Sequence, residues 1–108
     1  MKPIVFGDEA EVKILNGRAS RKVLAYGPDM MAVEVHMKQG GVGVDHSHPH
    51  VQISYILAGK FEYHTEQGQV IVRQGDSLYF AGGSVHGSIC LEDGVILDVF
   101  TPQRSDFL

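Results

Sequence analysis

The chain has very little cysteine, with Cys90 alone among its 108 residues. A single cysteine cannot form a disulfide within the chain, so no such bridge can hold the fold together. Disulfides are rare in reducing compartments, although a secreted protein without them would have the same composition. We therefore expect a cytoplasmic protein.

An excess of positive charge is also missing. The formal net charge is -4 at pH 7 and the pI is about 5.8, whereas proteins that bind nucleic-acid phosphates concentrate Lys and Arg. The first residues, MKPIVFGDEAEV, turn acidic too early for a secretion signal. No stretch approaches the ~18 consecutive apolar residues of a membrane-spanning helix. We expect neither a nucleic-acid partner nor membrane association.

The sequence has no linker, internal repeat or low-complexity tract that would mark a domain boundary. Its apolar fraction of 44% and its charged fraction of 20% are ordinary for a globular protein. A chain of 108 residues can bury a core but has no room for two cores. We predict a single domain over residues 1–108.

Apolar residues at helical spacing are absent from every segment, whereas period-two alternation is visible in Val51, Ile53, Tyr55 and Leu57. Glycine-containing turns, such as Gly59 and the pair 93–94, separate short apolar runs. The predicted strands cover residues 12–15, 21–26, 31–37, 51–57, 60–65, 69–73, 77–80, 85–90 and 95–101. Many short strands must cover their sheet edges, so the pattern predicts an all-β sandwich or barrel.

Three of the six histidines lie in one short segment, residues 46–52, which reads HSHPHVQ. Alternate residues of an extended chain share a face, so His46, His48 and Gln52 can point the same way along one strand. Imidazole nitrogens are ligands for nickel, zinc, manganese and iron. The alternative is a polar loop whose histidines face water, and a second ligand segment would decide between the two.

A second segment, residues 75–86, reads GDSLYFAGGSVH and ends at an isolated histidine, His86. Two spaced patterns then resemble the two motifs of the cupin superfamily. The first comprises Gly40, five residues, His46-x-His48, three residues, Gln52, six residues and Gly59. The second comprises Gly75, five residues, Ala81-x-Gly83, two residues and His86.

The cupin resemblance implies a jelly-roll β-barrel in which His46, His48, Gln52 and His86 meet and bind one divalent metal ion. Nickel, zinc, manganese and iron all suit three imidazoles and an amide. The alternative is a degenerate cupin whose polar residues bind each other and water around an empty pocket.

Three residues depart from the cupin pattern: Gln52 replaces the usual Glu, Ala81 the usual Pro, and Cys90 a frequent Asn. Only the first of these replacements changes a candidate metal ligand. A neutral amide oxygen leaves the metal one more unit of positive charge than a carboxylate would, which favours Lewis acidity.

The remaining histidines and the cysteine are weaker candidates. Pro49 disturbs the strand beside His50, so we expect His50 at the rim of the site. His36 and His64 alternate with apolar neighbours and are expected on the solvent side or in hydrogen bonds. Cys90 is expected to be a buried structural thiol.

Asp98 stands between Ile96 and Phe100 on one face of the last predicted strand. A carboxylate among apolar neighbours is unfavourable to bury without a partner, and a cavity that holds metal and polar substrate would supply one. The alternative is a solvated outer face. Strand parity favours the cavity.

The tail from Asp98 onwards, DVFTPQRSDFL, resembles the end of the pectin-degradation cupins called KdgF. The resemblance extends over the whole chain, including Gln in the first motif. It implies that Asp98, Phe100 and Arg104 serve activity: Asp98 would carry the proton, Phe100 would form an apolar wall, and Arg104 would bind a uronate carboxylate with two prongs. The alternative for Arg104 is a surface ion pair with Asp106.

The implied activity is the metal-dependent ring opening of unsaturated monouronates, the products of pectin or alginate lyases, to a linear keto form. The implied partner is thus a small sugar acid. Two alternatives stay open: a cupin dioxygenase, which needs a redox-active metal and oxygen, and a non-catalytic sugar-binding cupin. Cupins of this size commonly pair, so we also expect a homodimer.

Overall fold

The computed structural model describes residues 3–108, and the regular structure of this part of the chain is almost entirely antiparallel strands. The strands are β1 Val12–Asn16, β2 Ala19–Gly27, β3 Met30–Met37, β4 Val42–His46, β5 Val51–Thr65, β6 Gly68–Arg73, β7 Ser77–Phe80 and β8 His86–Thr101. A short 3-10 helix, Ser105–Phe107, follows β8. The all-β prediction is confirmed.

Met1 and Lys2, the start of the segment in which we expect no secretion signal, lie outside the described residues. Among residues 3–108, no helix has the length and apolar character needed to cross a bilayer.

The strands form one sheet in the order β1-β2-β3-β8-β5-β6, with β4 added to β8 and β7 added to β5. The two longest strands organise it. β8 pairs with β3, β4 and β5, and β5 pairs with β6, β7 and β8. The sheet wraps around its own core, as expected for a jelly-roll barrel.

Two pairs of predicted strands turn out to be continuous. Residues 51–57 and 60–65 are both part of β5, and residues 85–90 and 95–101 are both part of β8. The predicted turns at Gly59 and at residues 93–94 are bends, and the β5–β8 pairing shifts register between Ile56 and Phe61. Glycine supplies the same conformational freedom to a bulge as to a turn, so the sequence does not distinguish them.

One strand, β4, was not predicted, and it changes the ligand segment. β4 ends at His46 and β5 begins at Val51, so the intervening residues 47–50 are not in a strand. Pro49 lacks a backbone N–H and disfavours a continuous ladder. The prediction of a single strand from His46 to Gln52 is therefore wrong.

The inside of the barrel is polar towards one end and apolar towards the other. Along β5, Gln52, Ser54 and Ile56 are buried while Ile53 and Tyr55 are exposed, as the period-two pattern predicts. The larger core cluster consists of Met37, Ile56, Phe61, Tyr63, Val72, Phe80, Cys90 and Ile96. A smaller one consists of Met31, Val33 and Phe100. The buried polar residues Gln52 and Ser54 thus mark the end that holds the site.

The bend of β5 generates the first testable prediction. Gly59 and Gly75 have similar positive φ values, 85° and 92°. A Cβ at Gly59 would lie 2.5 Å from the Asp93 carbonyl oxygen and 2.6 Å from the Cα of Gly94, whereas one at Gly75 meets nothing within 4 Å. Backbone strain alone should lower the unfolding free energy of Gly75→Ala by about 1–2 kcal/mol. Gly59→Ala should lose more than about 3 kcal/mol because backbone must also move.

Urea unfolding followed by circular dichroism measures both losses. Gly75→Ala is the matched control, because it has the strain without the clash. Equal losses in the two variants would contradict the close packing of β5 against β8.

Candidate metal centre

The four predicted ligands come from four places in the chain and converge at the polar end of the barrel. His46 ends β4, His48 lies in the following loop, Gln52 is on β5 and His86 begins β8. His46 and His86 are register partners. One ring nitrogen from each of the three histidines lies within 4.8 Å of the others. Pairing of β4 with β8 thus places His46 next to His86, while the loop and the start of β5 supply His48 and Gln52.

Backbone carbonyls fix the orientation of each imidazole. The Nδ1 atoms of His46, His48 and His86 lie 2.8, 3.1 and 3.2 Å from the carbonyl oxygens of residues 44, 50 and 84. A carbonyl only accepts, so each Nδ1 carries the hydrogen and each Nε2 presents a lone pair. Metal-binding histidines are commonly oriented in this way.

Gln52 faces the histidines with its oxygen. Its Oε1 lies 2.9 Å from His48 Nε2, and its amide Nε2 donates to Ser54 Oγ at 2.9 Å and to Asp98 Oδ1 at 3.3 Å. The Ser54 hydroxyl gives its hydrogen to Asp98 at 2.6 Å, so its oxygen must accept from the amide. This network defines which end of the amide is oxygen.

The donor set fits a divalent metal ion. The lone pairs of His48 Nε2 and Gln52 Oε1 face each other, which is unfavourable unless both atoms bind the same cation. His86 Nε2 is buried and has no hydrogen-bond partner among residues 3–108. A buried acceptor without a partner is costly, and a metal ion would satisfy it. His46, His48, Gln52 and His86 would be the ligands.

Burial affects the charge of two of the ligand imidazoles, His48 and His86. Burial lowers the pKa of His48 and lowers that of His86 to about 4, with a smaller contribution from His46 to the latter. Both rings are therefore neutral at neutral pH, which is the form that binds metal. An ion held by imidazoles and an amide would keep its full positive charge.

Asp98 lies beside the ligands, as strand parity predicts. It is the register partner of Ser54 across β5 and β8 and accepts hydrogen bonds from Ser54 and Gln52. Burial raises the pKa of Asp98 to about 6, and the two hydrogen bonds oppose that shift. Its carboxylate lines the same cavity as His46, Gln52 and His86.

The cavity has a volume of about 290 Å³, and its far wall comes from the tail. Phe100, Arg104 and Phe107 line it, and the Arg104 Cζ lies 5.0 Å from the centre of the Phe100 ring. Arg104 Nε and Nη2 donate to the two Asp106 carboxylate oxygens at 3.0 and 2.8 Å. The ion pair weighed as an alternative is thus present, and a two-pronged contact to substrate through this edge would require Arg104 to release Asp106.

The sequence analysis missed four polar residues of the cavity or its network: Arg21, Ser54, Tyr63 and Ser88, the last of which also lines the cavity. Arg21 and Tyr63 line the cavity, and Ser54 is fully buried beneath Asp98. Each occupies an inward position of a strand, so the same parity that identified Asp98 could have found them. Their residue types drew no attention because Arg, Ser and Tyr are common on solvated strand faces.

The other candidates lie outside the ligand set. His50 Nε2 lies 3.0 Å from the carbonyl oxygen of Gln103, which ties the ligand loop to the tail. His36 pairs with Glu34, and His64 pairs with Glu62. Cys90 is 1% exposed and belongs to the core.

A larger open cleft of about 540 Å³ lies along β1, β2 and β3. It contains none of the four ligands and no part of the Asp98 network. The larger cleft is therefore not the candidate metal centre, and the candidate ligands lie at the smaller cavity.

Comparisons with known proteins agree with this geometry. The cupin domain family model matches residues 33–100, a span that contains all four ligands and Asp98. The chain belongs to the cupin family. This cupin is 36% identical over 110 residues to the pectin degradation protein KdgF of Dickeya dadantii, with all of both chains covered.

Two solved structures are also similar. A KdgF from Halomonas sp. has a TM-score of 0.92 and 34% identity, covering 97% of this cupin and 99% of that chain. An RmlC-like cupin from Shewanella frigidimarina has a TM-score of 0.95 and 30% identity, covering 100% of this cupin and 97% of that chain. The predicted cupin barrel and the resemblance to KdgF are confirmed.

Removal of one buried ligand tests the metal centre. His86→Ala should lose most of the bound divalent ion, measured by elemental analysis of purified protein. It should also lose the thermal stabilisation by added metal, which for the unmodified chain amounts to about 2.7 kcal/mol at a hundred times the dissociation constant. His36→Ala, outside the centre, is the control and should behave like the unmodified chain. Unchanged metal content in His86→Ala would contradict the assignment.

Gln52→Glu tests the double role of the amide. A carboxylate should bind the ion more tightly, because it adds a negative charge to the ligand set. The metal-free variant should be less stable, because a carboxylate at this position cannot donate to Ser54 and lies beside a second carboxylate, Asp98. Competition with a chromogenic chelator measures the affinity, and thermal unfolding in excess chelator measures the stability. A metal-free variant as stable as the unmodified chain would refute this role.

Proposed function

We propose that this cupin opens the ring of unsaturated monouronates released by pectin or alginate lyases, giving the linear keto-deoxyuronate. The observation that carries the proposal is the position of Asp98, one hydrogen bond from the metal ligand Gln52 and inside the same cavity. The full-length similarity to a protein named for pectin degradation supports the substrate class.

The reaction is an isomerisation without a redox step. The substrate ring is a hemiacetal that also carries an enol ether. A proton leaves the anomeric hydroxyl, the bond between the anomeric carbon and the ring oxygen breaks, and the ring oxygen becomes an enolate. The enolate then takes a proton at carbon, so one proton is removed and one is returned.

Asp98 is placed to handle these protons. Its Oδ1 accepts from Ser54 at 2.6 Å and from Gln52 at 3.3 Å, which fixes the carboxylate on the cavity wall. A proton acceptor held in place acts without the cost of orienting it during the reaction. Asp98 would take the hydroxyl proton and deliver it to carbon.

The remaining groups would bind and orient the sugar. A divalent ion on His46, His48, Gln52 and His86 would supply Lewis acidity towards the developing enolate oxygen. Phe100, which is 3% exposed and packs beside His48, would form the apolar wall. Arg104 would place positive charge near the substrate carboxylate, with Nε and Nη2 held by Asp106.

The two alternatives differ from this proposal in what they require. A cupin dioxygenase would need oxygen and a redox-active metal, and a non-catalytic sugar-binding cupin would have no use for a buried proton acceptor beside its metal. The pairing of Asp98 with the ligand set therefore favours ring opening. The single domain, the homodimer and the cytoplasmic location stay predictions.

One assay separates the three functions. The metal-loaded protein is mixed with freshly lyase-generated unsaturated monouronate, and loss of the conjugated ultraviolet band is followed with and without chelator, in air and without oxygen. Ring opening predicts fast loss that is sensitive to chelator and independent of oxygen, with a linear keto product. Dependence on oxygen would indicate a dioxygenase. Loss no faster than the spontaneous rate would refute the proposal.

Asp98→Ala should reduce turnover roughly 100- to 10,000-fold, the usual contribution of a positioned proton-transfer group. Its metal content should not change, because Asp98 is not one of the ligands. The exposed Asp8 provides the control Asp8→Ala, which should keep both activity and metal. Retained turnover in metal-loaded Asp98→Ala would remove Asp98 from the mechanism.

A further inference from the structure

Arg21 is an inward-facing cation on β2, a strand that supplies none of the metal ligands. It lies two residues from Ala19 and two from Val23, both of which pack against the core clusters. Because alternate residues of a strand share a face, Arg21 points into the barrel with them. Its side chain lines the cavity that also contains His46 and Asp98.

The tail fixes the position of this guanidinium. The Arg21 Cζ lies 3.7 Å from the centre of the Phe107 ring, and the Arg104 Cζ lies 4.2 Å from the same centre. Two cations against one aromatic ring repel each other unless negative charge lies nearby. The Phe107 ring therefore contacts two guanidinium groups, Arg21 and Arg104, which make this wall of the cavity positively charged.

The two arginines differ in their partners. Asp106 receives both hydrogen bonds of Arg104, through Nε and Nη2. Among residues 3–108, Arg21 forms no ion pair and donates no side-chain hydrogen bond. Burial is the main cause that lowers the pKa of Arg21, yet a guanidinium stays protonated at neutral pH. The cavity thus contains the partly desolvated guanidinium of Arg21, whose N–H groups have no hydrogen-bond acceptor among residues 3–108.

We propose that Arg21 is the residue that binds the carboxylate of the sugar acid. It would do so through two parallel hydrogen bonds, of the kind that Arg104 forms with Asp106. This rests on the proposed function for the identity of the sugar, and on the cavity alone for its negative charge. The planar fork of a guanidinium matches a carboxylate in geometry as well as charge. Arg104 would add positive charge beside this contact, and it holds Phe107 and Asp106 in place.

Binding of non-reacting sugars tests the proposal without any turnover. D-galacturonate and D-galactose differ in having a carboxylate or a hydroxymethyl group, and both are titrated into metal-loaded protein by calorimetry. The unmodified chain should prefer galacturonate. Arg21→Met should weaken galacturonate roughly 10- to 100-fold, the range for a lost charge-assisted contact, and leave galactose unchanged. Arg21→Lys should recover part of the preference, because it restores charge without the fork.

Arg73→Met is the matched control, because Arg73 is an exposed arginine on β6 and does not line the cavity. It should bind both sugars as the unmodified chain does. Three results would overturn the proposal: no preference for galacturonate in the unmodified chain, an unchanged preference in Arg21→Met, or an equal weakening of both sugars in Arg21→Met. The last would indicate a structural role for Arg21.

Turnover separates this proposal from the function on which it rests. With unsaturated monouronate, Arg21→Met should raise KM more than it lowers kcat, because the carboxylate is bound alike in substrate and transition state. A kcat loss at unchanged KM would contradict a carboxylate-binding role. If the unmodified chain opens no ring but shows the expected sugar preference, the proposed function fails and the assignment of Arg21 stands.

Discussion

The side-chain amide of Gln52 joins the two halves of the site, the histidines on one side and the Ser54–Asp98 pair on the other. Its oxygen faces His48 and its nitrogen donates to Ser54 and Asp98. A carboxylate in this position would have no hydrogen to donate and would repel Asp98. The replacement of the usual Glu by Gln therefore changes more than the net charge of the ligand set. The amide oxygen can bind a cation while the amide nitrogen donates a hydrogen bond to the Asp98 carboxylate.

The charge of the cavity differs from the charge of the chain. The protein as a whole carries a formal net charge of -4, yet the cavity combines imidazole and amide ligands with Arg21 and Arg104. Asp106 pairs with Arg104 and its charge also acts on Arg21, while Asp98 lies beside the ligands. A metal ion would add further positive charge. Local arrangement, and not net charge, makes this cavity suitable for an anionic sugar.

Much of the fold could be predicted from short-range patterns, and the candidate ligands could be named from the resemblance to the cupin motifs. The alternation along β5 places Gln52 inside and Ile53 outside, and the same parity on β8 places Asp98 in the cavity. The four ligands converge as the two cupin motifs imply. Strand parity depends on neighbours one or two residues away, which the sequence displays directly, whereas the meeting of His46 with His86 was implied by the cupin resemblance.

The errors concern contacts between distant segments. The pairing of β4 with β8, and the pairing of a continuous β8 with the bent β5, join residues far apart in the chain. The position of the Arg21 guanidinium depends on its contact with the Phe107 ring, which lies far along the chain. The pair of Arg104 with Asp106, by contrast, joins near neighbours and was one of the alternatives weighed from the sequence. Parity tells which side a residue faces and not which partner it meets there.

The separation of the barrel into a polar and an apolar end has a consequence for evolution. Ile56, Phe61 and Cys90 are at most 1% exposed, lie in the larger core cluster and do not line the cavity, whereas Arg21, Asp98 and Arg104 do line it. Substitutions that change the chemistry thus leave most of the packing intact. A barrel of this kind can acquire a new substrate by exchanging a few polar residues, while the apolar end preserves the fold through the intermediates.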